Sequence, residues 1–329
     1  MVDPTLIQIE ILGGQTAIQF AYLLIASFAG GAFGAAIGAL PAFCFTGFAV
    51  IAGEAANQLG VTDGSGVELG VSGLTNLVGF GPVFGPHIAF AGGAAAAAYA
   101  AKKDGAMYEL GDGDYHLGKD IAYALGTRPD VLAVGGLFGI FGAVAETLAA
   151  SLIAPIVGFD TIAFTVFFSA LVHRIVFGYS MFGTPGGDGY FDMTPFESSE
   201  KRVATDGGTA KAKRLAVEPW LPHQYKWSGV AMIGLVAGLL GGFLVVSTGS
   251  MFLGFGISAA SLTFLNLGVE KIPVTHHMTL PGSAGAAAFV ADPTGMSQLV
   301  AILLGGVFGV LGALVGEAGQ RVFYAHGDT

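Results

Sequence analysis

One cysteine, Cys44, among 329 residues excludes a disulfide framework and every thiolate zinc or iron–sulfur site, each of which needs at least two thiols. Cys44 itself reads as a small buried hydrophobe. Charge is almost as scarce. Asp, Glu, Lys and Arg make up 11% of the chain, where a soluble domain carries about 25%. Bases are the rarer sign, 13 against 23 acids for a net charge of −10, and none precedes Lys102. No basic cluster is large enough to track a phosphate backbone, so nucleic acid is not an expected partner. Met1–Glu10 holds acids and no basic stretch, so the first apolar run is expected to stay as a membrane helix and not to be cleaved as a signal peptide. The acidic loops GDGDYHLGKD from Gly111 and GGDGYFDM from Gly186 miss the EF-hand spacing and read as solvated. The glycines lack the Lys-Ser/Thr ending of a phosphate-binding loop. No HExxH, GxSxG or paired-carboxylate motif occurs, so no cofactor and no enzyme is expected, an integral-membrane enzyme being the least favoured alternative.

What fills the chain instead is apolar sequence threaded with glycine, 53% hydrophobic residues and 54 glycines without a G-X-Y period. Apolar runs of about 17 to 25 residues, the length of a membrane helix, fall at Gln15–Leu40, Pro41–Leu59, Val131–Val157, Thr161–Phe177, Ser228–Val246, Met251–Leu267 and Ser297–Gln320. Two shorter runs, Gly85–Ala101 and Thr275–Val290, each follow a stretch broken by Gly and Pro. Sixteen or so helical residues reach only about 24 Å across a hydrocarbon core about 30 Å thick, so non-helical backbone must complete each crossing. The expected fold is an all-α integral membrane protein of about nine segments.

Those segments repeat. Ile37–Gly60 lies on Val245–Gly268 at an offset of 208, with Gly30 over Gly238 and Gly34 over Gly242 in the preceding helices. Gly85–Ala94 lies on Thr275–Ala284 at an offset of 190, which places His87 over His277 and Gly92 over Gly282. Gly135, Gly139 and Gly142 recur as Gly305, Gly309 and Gly312 at an offset of 170, a small-residue stripe that reads as packing. The expected organisation is a first repeat over 15–157 with its broken segment at 79–101, a linking helix at 161–177, a cytoplasmic loop at 178–227, and a second repeat over 228–320 with its broken segment at 273–290.

The bases set the expected orientation. If both short segments cross, all 13 fall on one face, which the positive-inside rule makes cytoplasmic, and the base-free stretches Met1–Gly14 and Leu59–Pro82 fall outside. The halves are then inverted, with the N-terminus outside, the C-terminus in the cytoplasm and the chain multi-pass in the plasma membrane. Lys103 and Lys213 share the cytoplasmic face, opposite Ser65 and Asp292.

Inverted halves with matching broken helices point to a midplane solute site. The first turns of both short helices expose free N–H groups and a positive dipole end. Pro86 and His87 sit in one first turn; Thr275, His276, His277 and Thr279 sit in the other. An imidazole there could line a pore, gate it by protonation or ligate a metal, and the metal-ligand candidates are His87, His276 and His277. Glu54 and Glu146 lie inside apolar helices, where an ionisable residue is a functional candidate, and Glu146, farther from a helix end, is the stronger of the two. Glu317 reads as a helix-end ion pair with Arg321, and Gln58 and Asn266 as bridges between helices.

In general plan, two broken half-helices joined by an inverted duplication resemble the aquaporin and formate/nitrite channel architectures. Aquaporins carry Asn-Pro-Ala at both tips, where this chain has His-Ile-Ala and His-Met-Thr, so the resemblance is to the plan and no residue role is carried over. The expected function is a channel or secondary transporter for a small solute or inorganic ion, resident in a lipid bilayer and expected to form a homo-oligomer. The alternatives are a divalent metal-ion carrier using His and Glu and a structural subunit of a larger membrane complex.

Overall fold

The computed structural model describes residues 14–60, 70–103, 115–203, 213–290 and 295–327. Met1–Glu10, Gly111–Asp114, Ser65 and Asp292 lie outside the described residues. The protein is 70% helical with almost no strand, the make-up of an all-α membrane protein. Among the described residues five helices are long and apolar enough to cross a membrane: Ala17–Ile37, Ala39–Gln58, Pro129–Ile153, Trp227–Thr248 and Ser297–Ala325.

In chain order, α1 (Ala17–Ile37) starts at a capping box, with Thr16 Oγ1 accepting from Gln19 N and Gln19 Oε1 accepting from Thr16 N. It stops at Gly38, whose φ of 98° an L side chain would resist. The expected break at Leu40–Pro41 therefore lies two residues too late. Pro41 is tolerated inside α2 (Ala39–Gln58) because the first turn of a helix needs no donor there. Gly70–Gly79, part of the stretch read as lying outside the membrane runs, forms π-helical turns. A π-turn at Pro86–Phe90 opens α3 (Ala91–Lys103). Next come α4 (Pro129–Leu148), prolonged by a π-turn to Ile153, and α5 (Thr161–Val176), capped by Asp160. A short α6 (Thr194–Glu197) precedes the antiparallel strands β1 (Lys201–Val203) and β2 (Lys213–Leu215). The chain then runs through α7 (Trp227–Thr248), α8 (Leu253–Asn266), α9 (His276–Ala287) and α10 (Gly295–Gln320).

Two compact units emerge, the first from residues 1–43, 80–111 and 117–179, the second from 44–79, 112–116 and 180–329. In the first, α1, α3 and α4 meet through backbone. A Cβ on Gly31 would strike Gly135 O and Gly139 Cα; one on Gly139 would strike Ser27 O and Gly31 Cα; one on Gly92 would strike Gly135 O and Gly31 Cα. In the second unit α7, α9 and α10 do the same. A Cβ on Gly238 would strike Gly305 O and Gly309 Cα, one on Gly309 would strike Gly234 O and Gly238 Cα, and one on Gly282 would strike Gly305 O and Gly238 Cα. Large apolar side chains point the other way: Tyr22, Ile25, Leu137, Met232, Val236 and Val315 are exposed, as suits helices whose small residues face each other and whose bulk faces lipid.

These contacts correct the register read for the first helix. Gly31, not Gly30, does what Gly238 does, and Gly34 meets Ala89 O as Gly241, not Gly242, meets Thr279 O. The offset there is 207, one less than the neighbouring match, and Gly30 packs instead on the broken segment, against Pro82 and Val83.

The expected loop at 178–227 is in fact folded over much of its length. Arg214 and Glu218 form a buried ion pair at 3.2 Å, and Glu218 also accepts from His116 N. Nor is the acidic loop at Gly186 merely solvated: Gly186 N donates to Nδ1 of the buried His326, and Tyr190 OH donates to Gly183 O. Within it, hydrogen bonds from the Thr194 and Asp188 backbones hold the Asp192 carboxyl below the ordinary aspartate range. Arg321 ties the end of α10 to this segment, donating to Phe191 O and Tyr225 O while pairing with Glu317 at 2.6 Å as the sequence implied.

Candidate functional site

Both short helices begin where the sequence placed them. Gly85 caps the first, Pro86 occupies N1, where its missing N–H costs nothing, and His87 follows, 5% exposed. Thr275 caps the second, with His276 and His277 in its first turn. Each histidine is held from behind by a glycine of the neighbouring long helix: a Cβ on Gly142 would strike His87 O, and one on Gly312 would strike His277 O. The backbone of each broken segment is thus clamped against α4 or α10.

Among the described residues, neither His87 Nδ1 nor His277 Nδ1 has a hydrogen-bond partner. A buried polar atom left so is unusual in a native interior. The two surroundings differ. His277 stacks on Trp220 with ring centroids 5.8 Å apart and lies against Gly316, beside a cavity of about 10 Å³ lined by Trp220, Gln224, His277, Gly316, Glu317 and Gln320. Gln320 Nε2, on that cavity's wall, also lacks a partner. His276 is packed edge-on among Trp220, Phe255 and His277.

Thr279 Oγ1 turns back to His276 O at 3.3 Å and Thr275 Oγ1 is bonded to Ser258 Oγ, so these two hydroxyls fasten the helix start. Glu146 is half-buried, one turn beyond Gly142 on the same face of α4, and accepts from Thr161 Oγ1 at 3.0 Å, so it has the polar partner that a carboxylate in an apolar helix needs. The second unit has Gly316 at the matching position. Glu54, the weaker candidate in the sequence, is the more deeply buried at 2% exposed, and accepts from Thr75 Oγ1 and Ser250 Oγ. No group of three His, Cys, Asp or Glu side chains among the described residues could hold a metal ion.

Sequence reasoning placed α5 as a linking helix but missed its polar face. Thr165, Ser169 and His173 recur every fourth residue, so they form one stripe on that helix. They are 0%, 0% and 7% exposed, and Thr165 Oγ1, Ser169 Oγ and His173 Nδ1 have no hydrogen-bond partner among the described residues. The stripe lies on a helix that packs against α3, α4 and the Pro86–Phe90 turn, the turn that carries His87. Phe164, Phe167, Phe168 and Ile175 on the same helix are exposed. The spacing was readable in TIAFTVFFSALVHRIV, but an average over an apolar run hides which face carries the hydroxyls.

One more pairing concerns α2 and α8, which match at an offset of 208. They run antiparallel in the second unit. Asn266 at the end of α8 donates to Cys44 Sγ near the start of α2, Gly47 packs on Gly256 and Ala260, and Gln58 at the end of α2 donates to Thr248 O ahead of α8. Gly47 therefore touches the residue beside its own counterpart, Phe255.

The model of a family of unknown function, DUF7973, matches residues 13–329. Neither a curated protein nor a solved structure matches the chain.

Proposed function

We propose a transport function for this chain, which belongs to the DUF7973 family: a polytopic channel or secondary transporter for a small hydrogen-bonding solute or ion. The observation that carries the reading is the set of buried, unpartnered polar atoms at the starts of the broken helices and along α5, namely His87 Nδ1, His277 Nδ1, Thr165 Oγ1, Ser169 Oγ and His173 Nδ1. In a helical membrane protein such atoms cannot be left facing lipid, because each costs several kcal/mol by order of magnitude. A wet path supplies their partners. A structural subunit has no need of them, and a dry scaffold would replace the α5 stripe with Ala or Leu at no loss. The metal-carrier alternative loses support from the lack of a three-ligand cluster among the described residues.

The same reading includes nine membrane segments in two inverted halves. Support comes from the contacts that α1, α3 and α4 share residue by residue with α7, α9 and α10, and from the α2–α8 pair. In that pair the end of each helix lies near the start of the other, the arrangement that matching elements of inverted repeats would take. The cytoplasmic face is assigned to Lys103 and Lys213 on the charge count.

Osmotic swelling of proteoliposomes in a panel of small neutral solutes and monovalent anions tests the function. Parent protein is expected to accelerate swelling for at least one solute. His87→Ala, His277→Ala and Ser169→Ala are each expected to change that rate by several-fold. A rate untouched by both histidine substitutions would leave them as structural pins, and no acceleration for any solute would favour the scaffold.

A further inference from the structure

Glu54 differs from every other buried acid among the described residues in having no cation beside it. Glu218 has Arg214 and Glu317 has Arg321. Glu54, 2% exposed, has hydroxyls instead: Thr75 Oγ1 at 3.0 Å from Oε1 and Ser250 Oγ at 2.6 Å from Oε2. No Lys, Arg, His, Asp or Tyr of α2, of Gly70–Gly79 or of the turn before α8 is hydrogen-bonded or ion-paired to it among the described residues. An uncompensated carboxylate at such a place is costly, and in a membrane helix it is a functional candidate by default.

The hydroxyls are not interchangeable. Ser250 Oγ accepts from Leu253 N at 2.9 Å, at the start of α8, which leaves the Ser250 proton to be donated to Glu54 Oε2. Thr75 is under no such constraint and can donate to Oε1 or accept from it. Thr75 sits on π-helical turns, a rare geometry that is frequent at functional sites. Its approach depends on Gly53, where a Cβ would strike both Thr75 N and Oγ1. The arrangement is confined to one half: the position matching Glu54 at an offset of 208 is Leu262, buried and apolar. A device needed only to hold α2 and α8 together would be expected twice.

We propose that Glu54 is a proton-binding carboxyl. A proton adds at Oε1 to give the neutral acid, Thr75 Oγ1 turns from donor to acceptor for it, and Ser250 goes on donating to Oε2; release reverses these steps. No other bond forms or breaks. The use of this proton to drive solute movement rests on the transport reading; the binding itself does not.

Infrared difference spectra of the purified protein in nanodiscs, taken across about pH 4 to 9, test the proposal. The parent is expected to show a pH-dependent carbonyl band of a protonated carboxylic acid in apolar surroundings. Glu54→Gln is expected to lose that band, and Thr75→Val, which removes the acceptor, to shift it to the position of a weakly hydrogen-bonded acid. If Glu54→Gln does not fold, Glu54→Asp serves, with a displaced band as the expected result. A band unchanged in all three variants, or one that responds to sodium at fixed pH and not to pH, overturns the proposal. Proteoliposomes carrying an internal pH dye separate the two claims: an intact Glu54 band without any flux would retire the transport reading and leave the proton site standing.

Discussion

Gly309→Val is expected to destabilise the protein by about 3 kcal/mol or more, the upper end for forcing extra atoms into a packed interior. A Cβ at this position would fall on Gly234 O, Gly238 Cα and Gly238 N. Those are backbone atoms of α7, so no side chain can swing aside and the helices must separate. Gly139→Val should do the same in the other unit, since its Cβ would fall on the matching atoms Ser27 O, Gly31 Cα and Gly31 N. Gly319, also in α10, is the control. Nothing lies within 4 Å of a Cβ there, so Gly319→Ala should be neutral or stabilising by up to about 1 kcal/mol, the difference in helix propensity. Thermal unfolding in detergent, followed by circular dichroism, reads all three. Equal melting temperatures for Gly309→Val and Gly319→Ala would show that the glycine contacts do not hold the helices.

A second large effect is expected at Glu218. Its carboxylate is 0% exposed and receives Arg214 at 3.2 Å and the backbone N–H of His116 at 3.0 Å. Removing one partner of a buried pair leaves the other charge buried without compensation, at about 3–5 kcal/mol. Glu218→Ala should therefore open the segment between α5 and α7, seen as rapid protease cleavage within residues 180–226, while the apolar helices persist. Glu218→Gln keeps an acceptor for His116 N and should sit between the two. A cleavage rate for Glu218→Ala equal to that of the parent would contradict the placement of this pair.

The difference between these two sites explains what could be read in advance. The glycine stripe, the first-turn histidines and the Glu317–Arg321 pair are local: each is a spacing of three or four residues within one helix, or a Pro or Gly at its start. Their positions follow from periodicity, and the structure places Pro86 and Thr275 at the helix starts accordingly. The bonding of Glu218 to His116, and of Gly186 to His326, joins residues about a hundred or more apart in loops of ordinary polarity, where nothing local announces a partner. The register slip at Gly30 and Gly31 has a third cause. Adjacent glycines serve two neighbours, and only the contact tells which of them faces α4. The α5 stripe was open to view in the spacing of Thr165, Ser169 and His173, and was lost because apolar length was weighed there before apolar face.

Cysteine accessibility tests the central claim, that water reaches the start of each broken helix, most directly. In a Cys44→Ala background, single cysteines at His87, Ser169 and His277 are treated in proteoliposomes with a charged, membrane-impermeant methanethiosulfonate, with Leu137→Cys, on the exposed apolar face of α4, as the lipid-facing control. The account predicts modification at 87, 169 and 277 and none at 137. Protection of all three interior positions, with modification recovered only after denaturation, would mean a dry interior and would contradict it.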